Sequence, residues 1–198
     1  MTTILEEVNK NRTKNIMDLP KIPIINAIQK ISADGHINTD DIIYDPCCGS
    51  GCIIETLKSY GFKNLLSSDI SSESFISGEK NINVYNLEDN ICDIVITRPP
   101  FSEMVYNNML QEFFRISRKK VILLLDINFL SSLKRKEMLE NSPLRHVYIN
   151  SQRIVLKNHG DTKPKTRSST MYVWCIWDKE YSGTPTLGWI ENRKRKKW

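Results

Sequence analysis

The chain has 198 residues, 40% hydrophobic and 26% charged, a balance that suits one folded domain with a real core and excludes a disordered or fibrous chain. Its net charge of +5 comes from one terminal run, Arg193-Lys194-Arg195-Lys196-Lys197, outside which acidic and basic residues balance, so charge alone selects no partner. No apolar run approaches the roughly 20 residues of a membrane span, and Met1 to Arg12 lacks the apolar stretch of a signal peptide, so a cytoplasmic protein that does not enter a membrane is the expectation.

Residues 1–15 read as a loosely held polar start. Pro20 and Pro23 introduce a helix over Ile24 to Ile31, with apolar positions at Ile24, Ala27, Ile28 and Ile31 and a stop at Asp34-Gly35. Ile42-Ile43-Tyr44 is a short buried strand that runs into Asp45-Pro46-Cys47-Cys48-Gly49-Ser50-Gly51. Cys52 to Tyr60 is helical and ends at Gly61. Asn64 to Ser68 is a second strand closing on Asp69, Ser72 to Lys80 a poorly patterned helix, and Ile82 to Tyr85 a short strand.

Cys92 to Thr97 is a β-rich run that stops at Pro99-Pro100, and Glu103 to Ile116 is amphipathic. Val121 to Leu125 is the most apolar stretch, suited to a central strand covered on both faces. Ser132 to Glu140 is a helix entered through Ser131 or Ser132 as N-cap. Arg145 to Asn150 and Met171 to Trp177 are strands, separated by a polar loop with Gly160 and Pro164. Trp174 and Trp177, three apart on a strand, face opposite sides, one to the core and the other a candidate edge of the site.

This alternation, without repeats or low-complexity linkers, predicts one α/β domain over residues 1–192, with residues 193–198 as a basic tail. The expected architecture is a doubly wound, Rossmann-like, mostly parallel seven-stranded sheet with helices on both faces. The five cysteines, Cys47, Cys48, Cys52, Cys92 and Cys175, are odd in number and read as reduced thiols. Cys47, Cys48 and Cys52 have no convincing fourth ligand at zinc spacing, so packing is expected and metal is not. The loop Asn158 to Ser169, with His159, Lys163, Lys165 and Arg167, reads first as an ordinary mobile loop, with closure over substrate or contact to phosphate as the alternatives. His36 and His146 have no partners readable from the sequence.

A strand ending in Asp45, a glycine turn and then a helix is the arrangement by which open α/β sheets hold nucleotides. Gly49 and Gly51 permit positive φ and close backbone approach to a ligand. Asp69, ending the second strand, is placed to accept hydrogen bonds from ribose hydroxyls.

These residues resemble the class I S-adenosylmethionine-dependent methyltransferases, in particular the amino-methyltransferases that act on adenine N6 in DNA. The first motif of that family, Asp-Pro-x-x-Gly-x-Gly with Cys before the first Gly, is matched by Asp45, Pro46, Cys48, Gly49 and Gly51. Its second, an acidic residue closing the second strand, is matched by Asp69. An acidic family position near the adenine ring falls on Asn86. The family's catalytic Asn/Asp/Ser-Pro-Pro-Tyr/Phe falls on Arg98-Pro99-Pro100-Phe101. The resemblance covers most of the chain and is nearest to small phage-type methyltransferase-like proteins, through Asn128-Phe129-Leu130, the stretch Tyr172 to Lys179 and Tyr181-Ser182-Gly183. In that group the segment around Pro20 and Pro23 carries an extra cofactor-contacting motif.

The resemblance implies S-adenosylmethionine as cofactor, held by Asp45, Pro46, Cys48, Gly49, Gly51, Asp69 and Asn86. It also implies methyl transfer to an exocyclic amine of nucleic acid, adenine N6 in DNA first. In the family the Asn or Asp side chain and the first proline carbonyl accept hydrogen bonds from the amine, and the aromatic residue stacks on the extruded base. Pro99, Pro100 and Phe101 keep those places. Arg98 departs from the pattern, because a guanidinium only donates hydrogen bonds. Three accounts follow: a cofactor-binding protein without catalysis, a different acceptor in RNA or protein, or an amine acceptor supplied from elsewhere, Asp126 and Asn128 being on the same sheet edge. The chain has no room for a target-recognition domain, so sequence specificity is expected to be low or to depend on a protein partner.

Overall fold

Ile24, Ala27, Ile28 and Ile31 form one stripe of a helix and are all buried, which is why the segment after Pro20 docks as helix α1, Lys21–Ala33. In this computed structural model, residues 17–71, 79–80, 82–100, 103–158 and 170–191 are described. The elements before and around the glycine turn are strand β1 (Met17–Asp18), strand β2 (Ile43–Asp45), helix α2 (Cys52–Ser59), strand β3 (Leu65–Asp69) and strand β4 (Glu79–Lys80). Next come strand β5 (Cys92–Thr97), helix α3 (Glu103–Ile116), strand β6 (Ser117–Asp126), helix α4 (Leu133–Glu140) and strand β7 (Leu144–Asn150). The chain closes with strand β8 (Lys157–Asn158), strand β9 (Tyr172–Asp178) and strand β10 (Thr186–Ile190).

The main sheet has the order β10-β7-β9-β6-β5-β2-β3-β4. The expected seven-stranded, mostly parallel sheet is there, and β10 extends it by one strand along β7. Among the described strands of this sheet, only β9 runs antiparallel, inserted between β6 and β7. A separate two-stranded ribbon pairs β1 with β8.

Alternation along the strands sends side chains to two cores. On one face Ile43, Ile94, Ile96, Ile122, Leu124, Trp174 and Tyr148 pack under α1 and α2. On the other, Tyr44, Val95, Val121, Leu123, Leu125 and Trp177 meet Met109, Leu110, Phe113 and Ile116 of α3. The central strand is covered on both faces, Val121 to Leu125 being completely buried, as its apolar run requires.

Several expectations are corrected. Ile82 to Tyr85 is not a strand: the sheet edge is made two residues earlier by Glu79–Lys80, and Val84–Asn86 is a 3-10 turn capped by the Asn83 side chain. Asparagine closes such a turn on its own backbone more readily than it joins a strand. Ser132 does hold the N-cap position of α4, but its side chain makes no capping bond. Trp174 and Trp177 do face opposite sides, yet both are fully buried, so neither edges a site. The weak helix expected over Ser72 to Lys80 falls largely outside the described residues, as do the polar loop from His159, Phe101, the loose start up to Ile16 and the basic tail. Among the described residues, no helix is long and apolar enough to cross a membrane.

Candidate cofactor and acceptor site

The C-terminal ends of the parallel strands share one sheet edge, and the glycine turn lies there. Gly49 and Gly51 have φ of +52° and +79°, the left-handed region that glycine enters without strain. Space is open where a β-carbon on Gly49 would lie, with no atom within 4 Å. The turn is held from below by β3. Cys48 N–H donates to the Ser68 carbonyl at 3.0 Å, and Gly49 N–H donates to Asp69 Oδ2 at 2.9 Å. Asp69 Oδ1 accepts from Ser71 N–H at 2.9 Å, so both carboxylate oxygens brace backbone.

Asp45 is braced in the same way. Its Oδ1 accepts from Cys47 N–H at 3.2 Å and from the Thr97 hydroxyl at 2.6 Å. Thr97 ends β5 immediately before Arg98, so this bond joins the cofactor-type turn to the Arg98-Pro99-Pro100 stretch. Beneath it the Tyr44 and Ser68 hydroxyls bond at 2.5 Å. Neither Thr97 nor Ser68 was singled out from the sequence; the available signal was a polar residue closing an otherwise apolar strand.

Cys47 and Cys48 are buried against this turn. Burial, with Asp45 and Asp69 nearby, pushes the Cys48 thiol up, and burial pushes the Cys52 thiol up to about 11. Both are neutral thiols near pH 7, which suits packing. All five cysteines are free, and among the described residues no cluster of three or more His, Cys, Asp or Glu is arranged to hold a metal ion. Asn86 lies exposed at the end of the 3-10 turn, anchored by Arg115, whose guanidinium donates to the Leu87 and Val84 carbonyls at 2.6 and 3.2 Å.

The Arg98 side chain hydrogen-bonds the Tyr172 hydroxyl on β9, two strands away. Burial raises the pKa of that hydroxyl, the Arg98 bond and charge oppose the rise, and Asp126 adds to it. Asp126 ends β6 directly opposite Tyr172. The strand register puts Thr97 beside Leu123, so Arg98 must reach across the end of β6 to meet Tyr172.

Solved structures with a similar fold include three whose descriptions bear on the site. One is a modification subunit of a putative type I restriction enzyme from Vibrio vulnificus, with a TM-score of 0.59 and 12% identity, covering 98% of this chain and 51% of that one. Another is a putative RNA methyltransferase from Pyrococcus horikoshii, with a TM-score of 0.56 and 15% identity, covering 76% and 80%. A third is the magnesium protoporphyrin IX methyltransferase of Synechocystis, solved with S-adenosylmethionine bound, with a TM-score of 0.54 and 12% identity, covering 79% of each chain.

The chain has the fold of the S-adenosylmethionine-dependent methyltransferases.

No protein-family model matches the sequence, and no curated protein matches it. This methyltransferase fold spans about half the length of the Vibrio vulnificus subunit. Asp45, Pro46, Cys48, Gly49, Gly51 and Asp69 lie together at the edge where β2 and β3 end, and Pro99 and Pro100 follow the adjacent β5.

Proposed function

We propose that the chain is an S-adenosylmethionine-dependent methyltransferase acting on an exocyclic amine of nucleic acid, with adenine N6 in DNA as the first acceptor to test. The observation that carries this reading is the braced turn: two left-handed glycines, Gly49 beside open space, tied by Asp45 and Thr97 to the strand that leads into Pro99-Pro100. The chemistry of that turn fits the cofactor. Asp45 and Asp69 would face its polar groups, Gly49 and Gly51 would let it approach the backbone, and Pro46 and Cys48 would shape the turn. Asn86 would bond its adenine amine. When bound, the cofactor supplies an electrophilic methyl group on a sulfonium.

On the acceptor side, the Pro99 carbonyl would accept from the amine, Pro100 would hold the loop rigid, and Phe101 would stack on the base. Holding the amine in line with the methyl group is most of the catalytic work in such a reaction. The similarity in fold to a type I modification subunit favours DNA, and the similarity to an RNA methyltransferase makes RNA the second acceptor to test. A protein partner that supplies target recognition is part of this proposal.

A second reading, a cofactor-binding protein that transfers nothing, is favoured by Arg98 in the place of an amine acceptor. Transfer of labelled methyl from S-adenosylmethionine to unmethylated DNA and RNA, with the natural chain beside Arg98→Asn, separates the two. Labelling by the natural chain supports the enzyme. Cofactor binding without labelling by the natural chain supports the second reading.

A further inference from the structure

The α1-facing series along the sheet reads Ile94 and Ile96 on β5, Ile122 and Leu124 on β6, Trp174 and Tyr172 on β9. Continued by alternation, that series reaches Arg98 on the first and Asp126 on the second. Arg98, just past the end of β5, Asp126 at the end of β6 and Tyr172 at the start of β9 thus lie on one face at the sheet edge that carries the glycine turn. Arg98 and Asp126 both act on the Tyr172 hydroxyl, the first by a hydrogen bond and the second by its charge.

We infer that Asp126 is the hydrogen-bond acceptor for the substrate amine, taking over the role that position 98 cannot fill, and that the Arg98–Tyr172 bond positions the edge around it. The inference rests on the methyltransferase reading above.

Three observations support the relocation. The Arg98 side chain engages the Tyr172 hydroxyl across the end of β6. Asp126 Oδ1 accepts one bond, from Asn128 N–H at 2.9 Å. A carboxylate has about four acceptor positions, so that bond leaves capacity for an amine. By register Leu123 lies beside Thr97, so Asp126, three residues on, is at the same end of the sheet as Pro99 and Pro100, which directly follow Thr97 and Arg98.

The transfer balances with Asp126 in this role. The amine lone pair forms the new nitrogen–carbon bond, the carbon–sulfur bond breaks with its electron pair left on sulfur, and one amine proton passes to the Asp126 carboxylate and on to water. Arg98 and Tyr172 are positioning residues in this scheme and touch no reacting atom.

The capping bond to Asn128 is the competing explanation for Asp126, and serine separates the two, because it keeps the N-cap but is too short to present a second oxygen. Methyl transfer to unmethylated DNA and RNA is followed as kcat and acceptor KM, with cofactor affinity measured by calorimetry. Asp126→Ser and Asp126→Ala are expected to lower kcat roughly 100-fold with cofactor affinity within about twofold of the natural chain. Arg98→Asn placed in the Asp126→Ala background is expected to restore kcat at least about tenfold, since it returns an acceptor to the family position. Asp126→Ser turning over at the natural rate, or no recovery in the double variant, overturns the assignment while leaving the methyltransferase reading intact. Absence of transfer by the natural chain overturns both.

Discussion

Gly49 N–H donates to Asp69 Oδ2 across 2.9 Å, so the carboxylate that closes β3 holds the cofactor-type turn in shape before any ligand arrives. Its other oxygen holds Ser71 N–H at the same distance, and the group is almost fully buried.

Asp69→Asn would therefore set an amide NH2 against one of two backbone N–H groups. Losing one charge-assisted bond and burying the mismatch costs about 2–3 kcal/mol. The expected result is a lower urea midpoint together with weaker cofactor binding, measured by denaturation and calorimetry on the same preparation. An unchanged midpoint would mean that the turn holds its shape without Asp69.

Thr97→Val removes the hydroxyl that donates to Asp45 Oδ1 while keeping nearly the same volume. Both residues are buried, so the expected loss is about 1–3 kcal/mol. The proposed methyl transfer should fall as well, because the bond links the two halves of the proposed site. Stability lost with activity retained would restrict this bond to a structural role.

On the opposite edge of the sheet, His36 Nε2 lies 3.2 Å from the Tyr148 hydroxyl, which also donates to Asp34, and the His36 and His146 rings are 5.7 Å apart. Burial, then the charges of His146, Arg145 and Lys120, push His36 down to about 4, with Asp34 opposing, and burial lowers His146 too. The unfolded chain thus binds more protons than the folded one between pH 6.5 and about 4. Stability should be fully present above pH 6.5 and fall through that window, by up to about 1.4 kcal/mol per pH unit from His36, with His146 acting in the same direction. Urea unfolding at intervals from pH 7.5 to 4.5 measures the slope, and His36→Gln is expected to flatten it.

Gly188 on β10 faces this cluster. A β-carbon there would come within 2.8 Å of His146 Nε2 and 3.0 Å of the Tyr148 ring. Gly188→Ala should cost about 1–3 kcal/mol by overpacking and lower Tm, whereas Thr184→Ala, at an exposed turn position, should shift it little. Equal effects would show that the β10–β7 seam is loose.

Much of the architecture was legible because its causes are local. The 3.6-residue spacing of Ile24, Ala27, Ile28 and Ile31 forces a buried helix face, and the run Val121 to Leu125 can only be satisfied by cover on both sides. Strand β10 was missed because Thr186 to Ile190 is largely exposed and contains Gly188, so its pattern carries little hydrophobic signal. The ribbon of β1 and β8 was missed because two-residue strands have no period to read.

What the sequence determined by itself is therefore the alternation of strands and helices and the glycine turn between Asp45 and Cys52, since propensity, hydrophobic period and turn chemistry act over a few residues. Which side chains meet was decided by the tertiary structure. Arg98 finds Tyr172, and His36 finds Tyr148, only because β9 enters antiparallel between β6 and β7. Strand order and direction are settled by packing across the whole sheet, where residues more than seventy apart compete for the same neighbours, and no local pattern encodes that outcome.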